Sequence, residues 1–121
     1  MTKKILIIDD EEEICQIVKM YLEQLGEFSV LTAHNGLDGL DKVRRAMPDL
    51  VLLDISMPIM NGFKVLESLK ASDTTHHIPV IMLTGAPDDE AVASLALKYG
   101  NDCLAKPFNI EELGNAVLSR A

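Results

Sequence analysis

The sequence predicts an alternating α/β fold built on a mostly parallel sheet, and three observations carry that prediction. Four short apolar runs, Ile5-Leu6-Ile7-Ile8, Leu50-Val51-Leu52-Leu53, Val80-Ile81-Met82-Leu83 and Cys103-Leu104-Ala105, have the unbroken character of parallel strands buried on both faces. Between them the apolar spacing changes to i, i+3, i+4, the period of amphipathic helices. Each run also ends on a polar residue able to take part in phosphate chemistry: Asp9-Asp10, Asp54, Thr84 and Lys106. Ligand sites of open α/β sheets lie just outside the carboxyl ends of the strands. If these runs are neighbouring strands, three carboxylates, a hydroxyl and an ammonium meet at one sheet edge.

The elements follow in order. After the first strand, Ile14, Ile17, Val18, Tyr21, Leu22 and Leu25 mark a helix that stops at Gly26. Ser29 to Ala33 reads as the second strand, closed by the turn signal His34-Asn35-Gly36. Leu37, Leu40 and Val43 give a second helix that ends before Pro48, and the third strand is Leu50 to Asp54. Asn61-Gly62 precedes a third helix with Phe63, Leu66 and Leu69 on one face. Pro79 opens the fourth strand. Pro87-Asp88-Asp89-Glu90 is an acidic helix start suited to the macrodipole, and that helix runs to about Tyr99, before Gly100. Asp102 to Ala105 is the fifth strand, interrupted by Lys106-Pro107. Ile110, Leu113 and Val117 mark the last helix.

Composition narrows the possibilities. The chain has 121 residues, enough for one domain with a real core and too few for two. No apolar stretch approaches the roughly 18 residues needed to span a bilayer, and the four apolar residues after Lys3-Lys4 are too few for a secretory signal. A net charge of −8 argues against a nucleic-acid surface in this domain. Cys15 and Cys103 match no metal spacing and suit a reducing cytoplasm. With little beyond the last helix, the chain reads as a complete one-domain protein or a domain cut from a longer one.

Electrostatics then dictate a cofactor. Glu11, Glu12 and Glu13 read as ordinary acids of a helix N-terminus, whereas Asp9 and Asp10 sit closer to the strand end and Asp54 arrives there from a second strand. Two carboxylates about 5 Å apart repel by roughly 3 kcal/mol at an effective dielectric near 20. Such a trio calls for a cation, and Mg2+ prefers oxygen ligands with several retained waters. A carboxylate can also act as a nucleophile towards phosphorus. Asp54 ends the central run and faces the site from mid-sheet. Lys106 and Thr84 would help Mg2+ neutralise the phosphoryl oxygens.

On these residues the chain resembles the receiver domain of two-component response regulators, over essentially its whole length. Ile5-Leu6-Ile7-Ile8-Asp9-Asp10-Glu11 is similar to the family's first strand and acidic pair. Asp54-Ile55-Ser56-Met57-Pro58-Ile59-Met60-Asn61-Gly62 is similar to its phosphoacceptor segment, Leu83-Thr84-Gly85 to its switch threonine, and Lys106-Pro107-Phe108 to its Lys-Pro-Phe. The resemblance implies one receiver domain over residues 1–121, a flavodoxin-like doubly wound sheet of order 2-1-3-4-5, and five helices. It implies that Asp54 accepts a phosphoryl group from a phosphohistidine on a sensor histidine kinase or phosphotransfer protein. It further implies that Asp10 binds Mg2+ directly and Asp9 through water, with Asp54 and the Ser56 carbonyl completing the protein ligands. Lys106 would pair with the phosphoryl group, Thr84 would move to hydrogen-bond it, and the Lys106–Pro107 bond would be cis. The expected role is a cytoplasmic switch, not an enzyme in the ordinary sense, that assists its own phosphorylation and dephosphorylation and acts on a downstream effector or output domain.

Cys103 departs from the family pattern, which has Tyr or Phe three residues before the lysine; it is expected to be small, packed and inert. Ser56 and Ala86 are small at positions that influence how long the phosphoryl group survives. His34, His76 and His77 are read as incidental, and Arg120 is the one basic residue of the last helix. Two other classes compete. A haloacid-dehalogenase-type aspartyl-phosphate hydrolase would place a second aspartate two residues after the nucleophile, where this chain has Ser56. A flavodoxin-like cofactor module would need a phosphate cradle where Asp9 to Glu13 would repel phosphate.

Overall fold

A computed structural model of the chain describes residues 2–57, 61–85 and 89–121. Strands and helices alternate as β1 (Lys3–Ile8), α1 (Glu12–Gln24), β2 (Phe28–Ala33), α2 (Gly36–Ala46), β3 (Leu50–Asp54), α3 (Gly62–Ala71), β4 (Val80–Thr84), α4 (Glu90–Tyr99), β5 (Asp102–Ala105) and α5 (Ile110–Arg120). All strand pairs are parallel, in the order β2-β1-β3-β4-β5. The expected doubly wound sheet is therefore the observed one. β1 and β2 begin earlier than the sequence suggests, because the exposed Lys3 and Lys4 still pair with Phe28 and Ser29. Backbone pairing there needs no apolar side chain.

The unbroken apolar runs are explained by two cores. Leu6, Ile8, Val51, Leu53, Val80 and Met82 face one side, packed with Leu40, Val43, Val65, Leu66 and Leu69 of α2 and α3. Ile5, Ile7, Leu50, Leu52, Ile81 and Leu83 face the other, against Val18 and Leu22 of α1 and Leu113 and Val117 of α5. Period-2 alternation is lost because both faces are apolar. α4 is attached more thinly: Val92 is its one buried residue, while Leu97 is 87% exposed. Pro87 and Asp88 of the expected acidic start lie outside the described residues. Asp89 is the N-cap and its side chain accepts from the Ala91 N–H at 2.8 Å.

The edge strand β2 is closed by side chains from both flanking helices. Glu23 accepts the Val30 N–H, Lys19 donates to the Val30 carbonyl, and Lys42 donates to that of Thr32. Edge groups satisfied this way are poor templates for another strand.

α3 approaches the end of β3 so closely that its first residue must lack a side chain. A Cβ on Gly62 would stand 2.3 Å from the Asp54 carbonyl oxygen and 2.5 Å from Ile55 Cα. Both obstacles are backbone, which cannot swing aside. Gly62→Ala is therefore expected to destabilise the protein by about 1–3 kcal/mol, as overpacking does. A denaturant midpoint unchanged from the parent would show that α3 can slide away from β3 freely.

Candidate functional site

Strand register builds the site. β1 and β3 are level from Ile5↔Leu50 to Ile8↔Leu53, so Asp9 and Asp10, just past β1, meet Asp54 at the end of β3. Asp54 is level with Leu83, and Thr84 with Ala105, which brings Thr84 and Lys106 to the same edge. The Lys106 N–H donates to the Thr84 carbonyl at 2.7 Å, and the Lys106–Pro107 peptide is cis, as expected.

The side-chain oxygens of Asp9, Asp10 and Asp54 lie within 4.8 Å of one another. Asp9 and Asp54 are buried and Asp10 is exposed. Backbone donors orient the buried pair: Glu11 N–H to Asp9 Oδ1 at 2.9 Å, and Ser56 N–H to Asp54 Oδ1 at 3.0 Å. The Lys106 ammonium stands 2.8 Å from Asp9 Oδ2, 3.1 Å from Glu11 Oε1 and 3.5 Å from Asp54 Oδ2. The Lys106 ammonium is the one partner of the buried Asp9 Oδ2 among the described residues, and it approaches that oxygen off the ideal hydrogen-bond direction. The oxygen's charge is compensated, and lone-pair capacity is left for a further cation. A buried oxygen in that condition, beside two more carboxylates and open to solvent through Asp10, fits a hard divalent cation that keeps some of its waters.

Burial pushes the Asp54 carboxyl up to about 6 from an ordinary 3.8; the nearby Asp9 charge adds to this, while the Ser56 N–H and Lys106 oppose it. Burial alone would lower Lys106, but its contacts with Asp9 and Glu11 and the charge of Asp54 prevail and hold it above the usual lysine range.

Three residues make contacts or take positions that the sequence did not indicate. Glu11 is more than a helix-dipole acid, because its side chain reaches Lys106. Its neighbours Glu12 and Glu13 do occupy the first turn of α1. His34 is not incidental: its Nδ1 lies 3.3 Å from the Asp9 carbonyl oxygen and 3.8 Å from Cys15 Sγ, behind the site. Cys15 itself is driven up to about 12 by burial and the Asp9 charge, so it is an inert thiol. Cys103 is not packed but exposed. Desolvation nonetheless raises its thiol above the usual range, away from the reactive thiolate. No local feature of the sequence marks Glu11 or His34 in advance, because each contact depends on a pairing across the fold. Pro58, Ile59 and Met60 of the phosphoacceptor segment, and Ala86, lie outside the described residues. Asn61 does lie within them, as the N-cap of α3, accepting from the Lys64 N–H at 3.1 Å.

The raised Asp54 carboxyl fixes a sign. Its folded value lies above the unfolded one, so its contribution to stability is intact below about 3.8 and is lost as pH rises through about 6. At neutral pH the metal-free fold is expected to be strained by on the order of 2 kcal/mol at this group. Asp54→Asn should then be more stable than the parent at neutral pH without metal, with a flatter stability profile between pH 4 and 7. An unfolding midpoint lowered by the substitution would contradict the burial account. Adding Mg2+ to the parent should raise its melting temperature, because the unfolded chain has no such cluster.

Residues 5–118 match the family model described as the response regulator receiver domain. The transcriptional regulatory protein CpxR of Escherichia coli K12 is 45% identical over 111 residues, covering 91% of this chain and 45% of that protein. The alkaline phosphatase synthesis transcriptional regulatory protein PhoP of Bacillus subtilis is 37% identical, covering all of this chain and 50% of that protein. The chain thus spans about half the length of these relatives. Among solved structures, the Vibrio cholerae chemotaxis protein CheY4 superposes with a TM-score of 0.87 at 28% identity, over the whole of both chains. A CheY-like receiver domain from Methanospirillum hungatei gives 0.88 at 30% identity, over 98% of this chain and 93% of that one.

Proposed function

The chain belongs to the response regulator receiver family, the phosphorylation-dependent switches of two-component signalling, and we propose that Asp54 is its phosphoacceptor. The observation that carries this assignment is the position of Asp54. It is a buried carboxylate at the end of the central strand, with one oxygen oriented by the Ser56 N–H and the other 3.5 Å from the Lys106 ammonium. The ionised Oδ2 attacks phosphorus, an O–P bond forms, and the N–P bond of the donor phosphohistidine breaks, its electron pair leaving with the imidazole. The partner is a sensor histidine kinase or a phosphotransfer protein.

Asp9, Asp10, Asp54 and the Ser56 carbonyl would hold Mg2+, which when bound supplies charge neutralisation for the transferring phosphoryl oxygens. Lys106 brings a second positive charge to the same group. Its high proton affinity keeps it cationic throughout, so it stabilises charge and does not transfer a proton. Thr84, buried at the end of β4, is the switch residue, and its displacement towards the phosphoryl group biases two arrangements of the α4–β5 face. The thin attachment of α4 supports that reading, because few buried contacts oppose its movement.

The domain is not an enzyme acting on a separate substrate; its residues assist its own phosphorylation and dephosphorylation. It acts in the cytoplasm, on an output domain or a separate effector, without binding nucleic acid itself. Among the described residues no helix is long and apolar enough to cross a membrane. With the family shown, the haloacid-dehalogenase-type hydrolase is set aside, and Ser56 stands where that mechanism needs an aspartate.

Intact mass after incubation with Mg2+ and a small acyl-phosphate donor tests the assignment. One added phosphoryl group, labile to alkali, is expected on the parent and none on Asp54→Asn. Full labelling of the variant would move the acceptor elsewhere.

A further inference from the structure

Lys106 faces three carboxylates, and the third, Glu11, belongs to neither the acidic trio nor the acceptor. Its Oε1 is 3.1 Å from the ammonium, closer than Asp54 at 3.5 Å. Glu11 side-chain exposure is 59%, against 15% for Lys106 and essentially none for Asp9, so the glutamate draws the ammonium from the rim. The local backbone favours this reach. α2, α3, α4 and α5 each begin on an Asn or Asp whose side chain caps the helix, whereas Glu11, at the N-cap of α1, makes no such bond. Its main chain is pinned instead by its N–H donating to Asp9 Oδ1, which leaves the side chain free to extend towards Lys106.

We propose that Glu11 is a positioning residue that shares the Lys106 ammonium with the buried Asp9, 2.8 Å from it, and keeps it from settling fully between Asp9 and Asp54 in the unphosphorylated site. The ammonium and a divalent cation draw on the same oxygens, those of Asp9 and Asp54. Without the pull of Glu11, Lys106 settles further between those two carboxylates and competes with the cation. Glu11 therefore keeps the cleft open for metal, and it must release Lys106 when a phosphoryl group arrives. Removing Glu11 has two opposed effects: weaker Mg2+ binding, and quicker engagement of the phosphoryl group by a lysine already placed at Asp54. This inference rests on the receiver reading for its second half alone.

A double-mutant cycle separates the tether from simple loss of charge. Mg2+ affinity of the unphosphorylated protein is measured by calorimetry for the parent, Glu11→Gln, Lys106→Met and the double variant. Glu11→Gln is expected to weaken Mg2+ binding about two- to fivefold, the scale of a largely exposed ion pair, and to lose most of that effect in the Lys106→Met background. Equal weakening in both backgrounds would mean that Glu11 acts through its charge alone, and no weakening in either would remove it from the site; both overturn the proposal. At saturating Mg2+, initial labelling by the acyl-phosphate donor should be faster in Glu11→Gln than in the parent, and slower labelling would also overturn it. If the parent itself does not label, the receiver assignment fails while the affinity cycle still decides the role of Glu11.

Discussion

The rest of the structure is organised around like charges forced together. Strand register brings Asp9, Asp10 and Asp54 within 4.8 Å, a separation at which two carboxylates repel by about 3 kcal/mol at an effective dielectric near 20. The repulsion persists because the sheet that imposes it is buried on both faces, and its apolar contacts cannot be given up to relieve one carboxylate. Lys106 is the internal answer, a cation delivered by β5 from the far end of the chain. Its hold is incomplete: it approaches Asp9 Oδ2 off the ideal hydrogen-bond direction, and the Asp54 carboxyl is still driven upward. The protein is left in want of more positive charge. On the proposed assignment a divalent cation would supply it, and the phosphoryl group would then bind against that cation and Lys106.

Rigidity and looseness are distributed accordingly. The acidic half of the site stands past the ends of the neighbouring strands β1 and β3, and Gly62 lets α3 close directly on the Asp54 backbone. The other half stands on β4 and β5, beside the helix with the least burial. On the proposed assignment, chemistry would occur on a fixed platform while its consequences reach a helix held by little burial. The exposed Cys103 and Leu97 lie in that looser region, where the sequence lacks the family's aromatic side chain.

Much of this could be read without coordinates. The four apolar runs and their polar endings specify the strands and bring Asp9, Asp10, Asp54, Thr84 and Lys106 to one edge, because parallel strands share a carboxyl end. The starts of the helices at Asn35, Asn61 and Asn109 are likewise local, each cap reaching two or three residues along its own chain. Strand order was accessible through family resemblance and not through periodicity, since an apolar run does not say which neighbour it will pair with.

What the sequence by itself determined was the alternation of elements, their buried character and the chemical identity of the groups at the strand ends, all consequences of spacing within a few residues. The tertiary structure decided what those groups do to one another. Glu11 differs from Glu12 by one position, yet it alone of the two pairs with Lys106, a residue 95 positions away. His34 comes to lie behind Asp9, and Cys103 remains exposed where packing was expected, for the same reason. Distances between side chains on different elements depend on how helices seat against the sheet. That seating is set by the whole core, and no short stretch of sequence contains it.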